Sequence, residues 1–321
     1  MSASTPSASN QPTARAATVY NYGSINIDHV YRVPHLVRPG ETLSSTDYQI
    51  VLGGKGANQT IALARAGGRV THWGQLGRAD EWALETLRDA GADIDEVALL
   101  EGSSGHTVIQ VDDEGENAIV LFGGTNQRFT LERIDELLTN ADSEGWLLLQ
   151  NECNDIDAVI RQALDRGLKI AFNPAPMTPA IRELPLTELS LLFVNRGEAA
   201  ALVELDEQSD ADTLIRALQT ALPGVDIVLT LGAAGAWRID GTRGDTLYQP
   251  ARPVQAVDTT GAGDTFIGYY MAALQADRDA TTCLERATAA AALAVQRPGA
   301  ATGIPTVDEV ETFLQIAGRP E

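Results

Sequence analysis

Lysine is nearly absent from this chain. Only Lys55 and Lys169 are lysines among 23 basic side chains, against 44 acidic ones, and the net charge is −21. So acidic a surface repels phosphodiester backbones and anionic headgroups, which excludes nucleic acid and anionic membrane as partners. Scarce lysine under an excess of acid also points to a high-salt habitat, where screening relaxes self-repulsion. Cysteine is as rare. Cys153 and Cys283 match no metal-ligand spacing and read as free thiols of a reducing cytoplasm. The four histidines are scattered with no H-E-x-x-H, which argues against a protein-built zinc site. Aromatics make up 5% of the chain, so its core must rest on Ala, Leu, Val and Ile. No apolar run reaches the ~18 residues of a membrane helix. The opening MSASTPSASNQPTARA lacks the apolar stretch of a signal peptide. Residues 1–17 are therefore expected to be a disordered tail ahead of a single domain over 18–321, in a cytoplasmic protein.

Periodicity gives the fold class. Strand-like runs (WLLLQ, LKIAFN, LSLLFVN, VDIVLTL) alternate with helical ones (GANQTIALARAG, DIDAVIRQALDRG, GEAAALVEL, DTLIRALQTAL). The near-continuous apolar strands imply a mostly parallel sheet covered by helices on both faces, an α/β doubly wound fold. Residues 28–51 and 105–122 break the rhythm. Both show β-type alternation, and the second turns at Asp113–Gly115. They are expected to form a small β layer that closes over ligand as a lid. Such a layer has a second face needing cover, which predicts a homodimer paired through it.

The chemistry concentrates in VDTTGAGDTF, residues 257–266. A glycine-rich turn opening a helix offers several amides to an anion, and Gly261, Ala262 and Gly263 keep that surface bare. Two nucleotide motifs are excluded: G-x-x-x-x-G-K-[ST] is absent, and GAGDTF lacks the third glycine of G-x-G-x-x-G. An aspartate, Asp264, stands where an anion should sit. In-line phosphoryl transfer explains it, because the attacking alcohol must lose its proton. Asp264 then accepts that proton while the amides of about residues 261–264 take up developing charge.

This turn resembles the C-terminal signature of the ribokinase (PfkB) family of sugar kinases. GSINIDH (23–29) and GGKGANQ (53–59) resemble the family's sugar-binding signatures, and NPAP (173–176), Asn195–Glu198 and TLGAAG (230–235) follow in family order. The resemblance covers about residues 18–316. It implies an ATP-dependent sugar kinase acting on a pentose hydroxyl, with D-ribose going to ribose 5-phosphate as the leading expectation. It implies Asp264 as base, and Asn26, Asp28, Gly53, Gly54, Lys55, Asn58 and Glu152 as sugar ligands. Asn195 and Glu198 would organise Mg²⁺ and phosphate oxygens through water, although an N-x-x-E pair is equally a helix cap. Thr230, Gly232 and Gly235 would lie on the nucleotide side, with Thr288 at the adenine. A monovalent cation, K⁺, would be held by Asp258, Thr260, Ala294, Arg297, Gly299 and Gly303, mostly through backbone oxygens.

His106 and Gln110 are polar where relatives are mostly apolar. Either they face solvent, or they recognise a substrate larger or more polar than ribose. A kinase for another sugar or a nucleoside (fructose, 2-keto-3-deoxygluconate, adenosine) and a non-catalytic sugar or nucleotide sensor remain the alternatives.

Overall fold

The computed structural model describes residues 17–317. The expected tail falls outside the described residues except for Ala17, whose carbonyl accepts from Gln275 Nε2 at 2.6 Å. The strands are β1 (Val19–Tyr22), β2 (Asn26–Arg32), β3 (Asp47–Gly53), β4 (Val70–Trp73), β5 (Gln75–Gly77), β6 (Ala98–Leu100), β7 (Gly105–Val111), β8 (Asn117–Phe122), β9 (Trp146–Gln150), β10 (Lys169–Asn173), β11 (Leu191–Asn195), β12 (Asp226–Thr230), β13 (Ala236–Ile239) and β14 (Thr246–Gln249). The helices are α1 (Lys55–Arg65), α2 (Leu84–Asp89), α3 (Leu131–Thr139), α4 (Ile156–Asp165), α5 (Arg196–Leu202), α6 (Ala211–Ala221), α7 (Ala262–Gln275), α8 (Ala280–Ala294), α9 (Ala300–Gly303) and α10 (Val307–Ala317). No helix among the described residues is long and apolar enough to cross a membrane.

Eight strands form the main sheet in the order β14-β13-β12-β11-β10-β9-β1-β4. Six of them, β4 through β12 in that order, pair in parallel, and β13 and β14 add an antiparallel edge. Successive side chains of a strand point to opposite faces, and here both faces are buried. Leu148, Ala171, Leu191 and Phe193 join one core with α1, α7 and α8. Leu147, Leu149, Ile170, Phe172, Leu192 and Val194 join the other with α3 to α6. The fold is thus α/β with a mostly parallel, doubly covered sheet.

A second sheet of four strands, ordered β3-β2-β7-β8, stands beside the first. Its β2 leaves directly from the end of β1, and β3 leads directly into α1. The carboxyl ends of the main strands, the small sheet and the start of α1 therefore meet at one place. The start of α7 is brought there by close packing on α1. A methyl group at Gly268 would stand 2.4 Å from Ala62 Cβ and 2.7 Å from Leu63 N, so only glycine permits this approach.

Candidate active site

The helix α7 begins at Gly261, whose φ of 73° lies in the left-handed region that favours glycine. No side chain caps this end. Ala262 N donates to the Thr259 carbonyl at 3.3 Å, and the amides of Gly263 and Asp264 follow at the positive end of the helix dipole. Gly261, Gly263 and Asp264 line a cavity of about 150 Å³ with Asn173, Asn195 and Thr230, which end β10, β11 and β12, and with Lys55 and Glu198. A crevice at the carboxyl ends of parallel strands is where open α/β sheets bind ligands.

Asp264 is buried, and each of its oxygens is fixed. Asn58 Nδ2 donates to Oδ2 and Gln59 Nε2 to Oδ1, both at 3.0 Å. Burial raises its carboxyl above the ordinary range, opposed by the Lys55 charge and the amides of Gln59 and Asn58. Lys55 answers in kind. Asp264 is the largest influence holding its ammonium above the ordinary value, and Glu152, Glu198 and Asp28 add to it against burial. One of the two lysines of the chain thus sits among four carboxyl groups. Burial raises Asp28, Glu152 and Glu198 as well.

On the side of the small sheet, Asp28 accepts from Thr107 Oγ1 at 2.6 Å. Its carboxylate lies across Gly53, where an added Cβ would be 1.9 Å from Oδ2, so any other residue would push Asp28 away. Glu152 accepts from Ser24 Oγ and, at 3.0 Å, from the Lys55 backbone amide. Asn26 Oδ1 is occupied by Asn126 Nδ2 at 2.7 Å. Gly54 takes φ 93° as the residue before α1. Asn58 Oδ1 is buried with no partner, an acceptor left open beside Asp264; such an atom is costly unless something fills it.

Asn195 and Glu198 form a full capping box at the start of α5, each side chain bonded to the other's backbone amide at 2.9 Å. Cap and cavity wall coincide, since both residues also line the cavity. Gly232 and Gly235 form the turn from β12 to β13, and neither they nor Ala262 line the cavity. Thr288 lies in α8 away from that cavity, buried and with Oγ1 unpartnered. In the segment between β14 and α7, Asp258 accepts from the amides of Thr260 and, across to the loop after α8, Gly299, at 2.9 and 2.8 Å. Burial would raise Asp258, but these hydrogen bonds prevail and hold it below the ordinary carboxylate range. A Cβ on Gly303 would lie 3.3 Å from the Ala294 carbonyl oxygen and 3.6 Å from that of Arg297, so the two carbonyls converge there. The Arg297 side chain points instead to Glu309, at 2.6 Å.

His106 and Gln110 do not face the site. Asp28 is in register with Thr107, whereas His106 and Gln110 are in register with Ile27 and Tyr31, on the opposite face of the small sheet. Gln110 Oε1 accepts from the Val37 amide at 2.9 Å and ties down the segment between β2 and β3. Sequence reasoning missed Gln59, Asn173, Ser24 and Thr107. Gln59, Asn173 and Ser24 lie inside the motifs GGKGANQ, NPAP and GSINIDH, but only their partners across the fold reveal a role.

A family model for pfkB family carbohydrate kinases matches residues 16–307. The ribokinase of Haemophilus influenzae is 33% identical over 303 residues, covering 92% of this chain and 97% of that protein. A structure of Arabidopsis thaliana ribokinase complexed with ribose and ATP superposes with a TM-score of 0.83 at 29% identity, covering 94% of this chain and 99% of that one. A ribokinase from Cryptococcus neoformans var. grubii in complex with ADP gives a TM-score of 0.80 at 33% identity, covering 92% of this chain and 99% of that one. The chain belongs to the pfkB family of carbohydrate kinases.

Proposed function

We infer that this kinase transfers the γ-phosphoryl group of ATP to a hydroxyl of D-ribose, giving ribose 5-phosphate and ADP. The observation that carries the reading is Asp264, a buried carboxylate with both oxygens fixed, on the cavity at the uncapped start of α7. The hydroxyl oxygen bonds to the γ-phosphorus as the bond to the β,γ-bridging oxygen breaks, and the hydroxyl proton passes to Asp264. The first-turn amides of α7 offset charge on the transferring group. Asp28, Glu152 and the open Oδ1 of Asn58 accept from sugar hydroxyls, and Asn26, Gly53, Gly54 and Lys55 complete that side. Ribokinase relatives along nearly the whole chain, one of them complexed with ribose and ATP, favour ribose over fructose or a nucleoside.

Four carboxyl groups around one ammonium leave the site short of positive charge, which fits a divalent cation arriving with the nucleotide. Asn195 and Glu198 would hold Mg²⁺ through water, and the ion supplies charge neutralisation on the phosphates. Thr230, Gly232, Gly235 and Thr288 form the nucleotide side. The converging carbonyls of Ala294 and Arg297, with Asp258, Thr260, Gly299 and Gly303, would take K⁺. The small sheet closes over the sugar as a lid and pairs with that of a second copy. An ADP-release assay with ribose tests the reading. Turnover is expected for the native chain, with a loss of ~10²–10⁴ in rate for Asp264→Asn. Unchanged turnover of Asp264→Asn would remove the base from the mechanism, and no ADP from any sugar would favour a non-catalytic sensor.

A further inference from the structure

Asp264 is the end of a longer polar chain. Gln59 donates to it through Nε2, and Gln59 Oε1 accepts in turn from Gln150 Nε2 at 2.7 Å. Gln150 Nε2 also donates to Asn21 Oδ1 at 3.0 Å, and Asn21 Nδ2 donates to Thr60 Oγ1 at 2.7 Å. Thr60 Oγ1 stands 2.7 Å from His72 Nδ1. All five residues behind Asp264 are buried, on α1, β9, β1 and β4. None of them lines the cavity.

The direction of the hydrogen bonds from Asn21 through Gln150 and Gln59 to Asp264 is fixed, because Asn21 Nδ2 donates to the Gly56 carbonyl, which can only accept. Burial depresses the His72 imidazole to about 3, so the ring is neutral. Asn21 has Nδ2 committed to Thr60 and to the Gly56 carbonyl, so its Oδ1 must receive Gln150 Nε2. Gln150 thereby presents a donor to Gln59, which forces Gln59 to turn its oxygen away from Asp264 and its amide toward it. A free amide could flip and set its oxygen against the carboxylate; this one cannot without leaving Gln150 Nε2 facing another donor.

We propose that Gln59 is a positioning residue for Asp264, locked in its donating orientation by Gln150 at the end of β9. The proposal rests on the kinase reading, because it assigns Asp264 as the base. The charged groups acting on Asp264 are Lys55 of α1, Glu152 after β9 and Glu198 of α5, and all of them stay in place when Gln59 is changed. A hydrogen bond donated to a carboxylate favours its ionised form. The base works deprotonated, so rate falls as pH drops through its pKa. Removing the Gln59 donor therefore moves this acid limb upward.

The test is the pH profile of kcat with ribose for the native chain, Gln59→Met, Gln150→Met and the double variant. It is paired with titration of the Asp264 carboxyl carbon by ¹³C NMR, its resonance assigned by its loss in Asp264→Asn. Gln59→Met is expected to raise both midpoints by about one unit, the scale of one hydrogen bond to a charged acceptor, with the KM for ribose unchanged. Gln150→Met leaves Gln59 Nε2 held only by Asp264 and, at 3.3 Å, by Asn173 Oδ1; it gives a smaller shift in the same direction, and the double variant matches Gln59→Met alone. Should Gln59→Met not fold, Gln59→Glu keeps the shape and sets a second carboxyl group against Asp264, which must raise the midpoints further. An unshifted midpoint with kcat lowered evenly across pH overturns the proposal, as do additive shifts from the two single variants. The NMR titration reads the positioning even if no sugar is phosphorylated, a result that would instead refute the kinase reading.

Discussion

In the eight-stranded sheet, alternate side chains of β9, β10 and β11 enter two separate cores, so each strand is finished on both faces. The four-stranded sheet is buried only where it joins the body, at Asn26, Ile27, Leu52, Gly53, Gly105 and Thr107. Farther out it exposes Tyr48, Ile50, Ile119, Val120, Leu121 and Phe122, with Val120 at 69%. β8 is exposed along its whole length and on both faces. Apolar side chains clustered in this way mark a surface awaiting cover. The helices α7 and α1, packed on the main sheet, bring Asp264 and Lys55 to the cavity, while the small sheet brings Asp28 from a surface whose burial is incomplete.

The sharpest way to break the contrast is to make the outer strand polar. Glutamate at both Ile119 and Val120 charges both faces of β8 without touching the body. Light scattering is expected to show a dimer for the native chain and a monomer for this variant; a native chain that is monomeric at micromolar concentration would contradict the pairing. The junction between the sheets is tested next. Gly53→Ala places a Cβ 1.9 Å from Asp28 Oδ2 and must displace that carboxylate. The KM for ribose should rise by about tenfold or more, the scale of one lost hydrogen bond to a charged group, with ATP affinity little changed. Equal effects on both substrates would mean that the junction supports the fold rather than the sugar. The smallest effect is expected where the segment of Asp258 meets the loop of Gly299. Potassium should raise kcat a few-fold over sodium at matched ionic strength and Mg²⁺, and equal rates would remove the cation from that loop.

The legibility of the molecule follows the same divide. The doubly covered sheet is readable because burial on both faces writes itself as unbroken apolar runs such as WLLLQ and LSLLFVN. The turn at Gly261–Asp264 is readable because amides, glycines and carboxylate are neighbours in the chain. The N-x-x-E pair reads as either a cap or a ligand site, and the capping box stands in the cavity wall, so local geometry alone could not separate the two. The antiparallel edge of β13 and β14 is not evident, since short strands with half-buried patterns carry little periodicity. The facing of His106 and Gln110 depends on the register of β7 against β2, and a slip of one residue would reverse it. The amide chain behind Asp264 draws Gln59, Gln150, Asn21 and His72 from four elements, and no spacing along the chain announces such a convergence.

Whether this site phosphorylates ribose is decided by side-by-side specificity constants for ribose, 2-deoxyribose, fructose, 2-keto-3-deoxygluconate and adenosine. Ribose is expected to have the highest kcat/KM, with 2-deoxyribose poorer because a half-buried carboxylate such as Asp28 would lose its hydroxyl partner. A higher constant for any of the other four would contradict the assignment of ribose and leave only the assignment to the carbohydrate-kinase family standing.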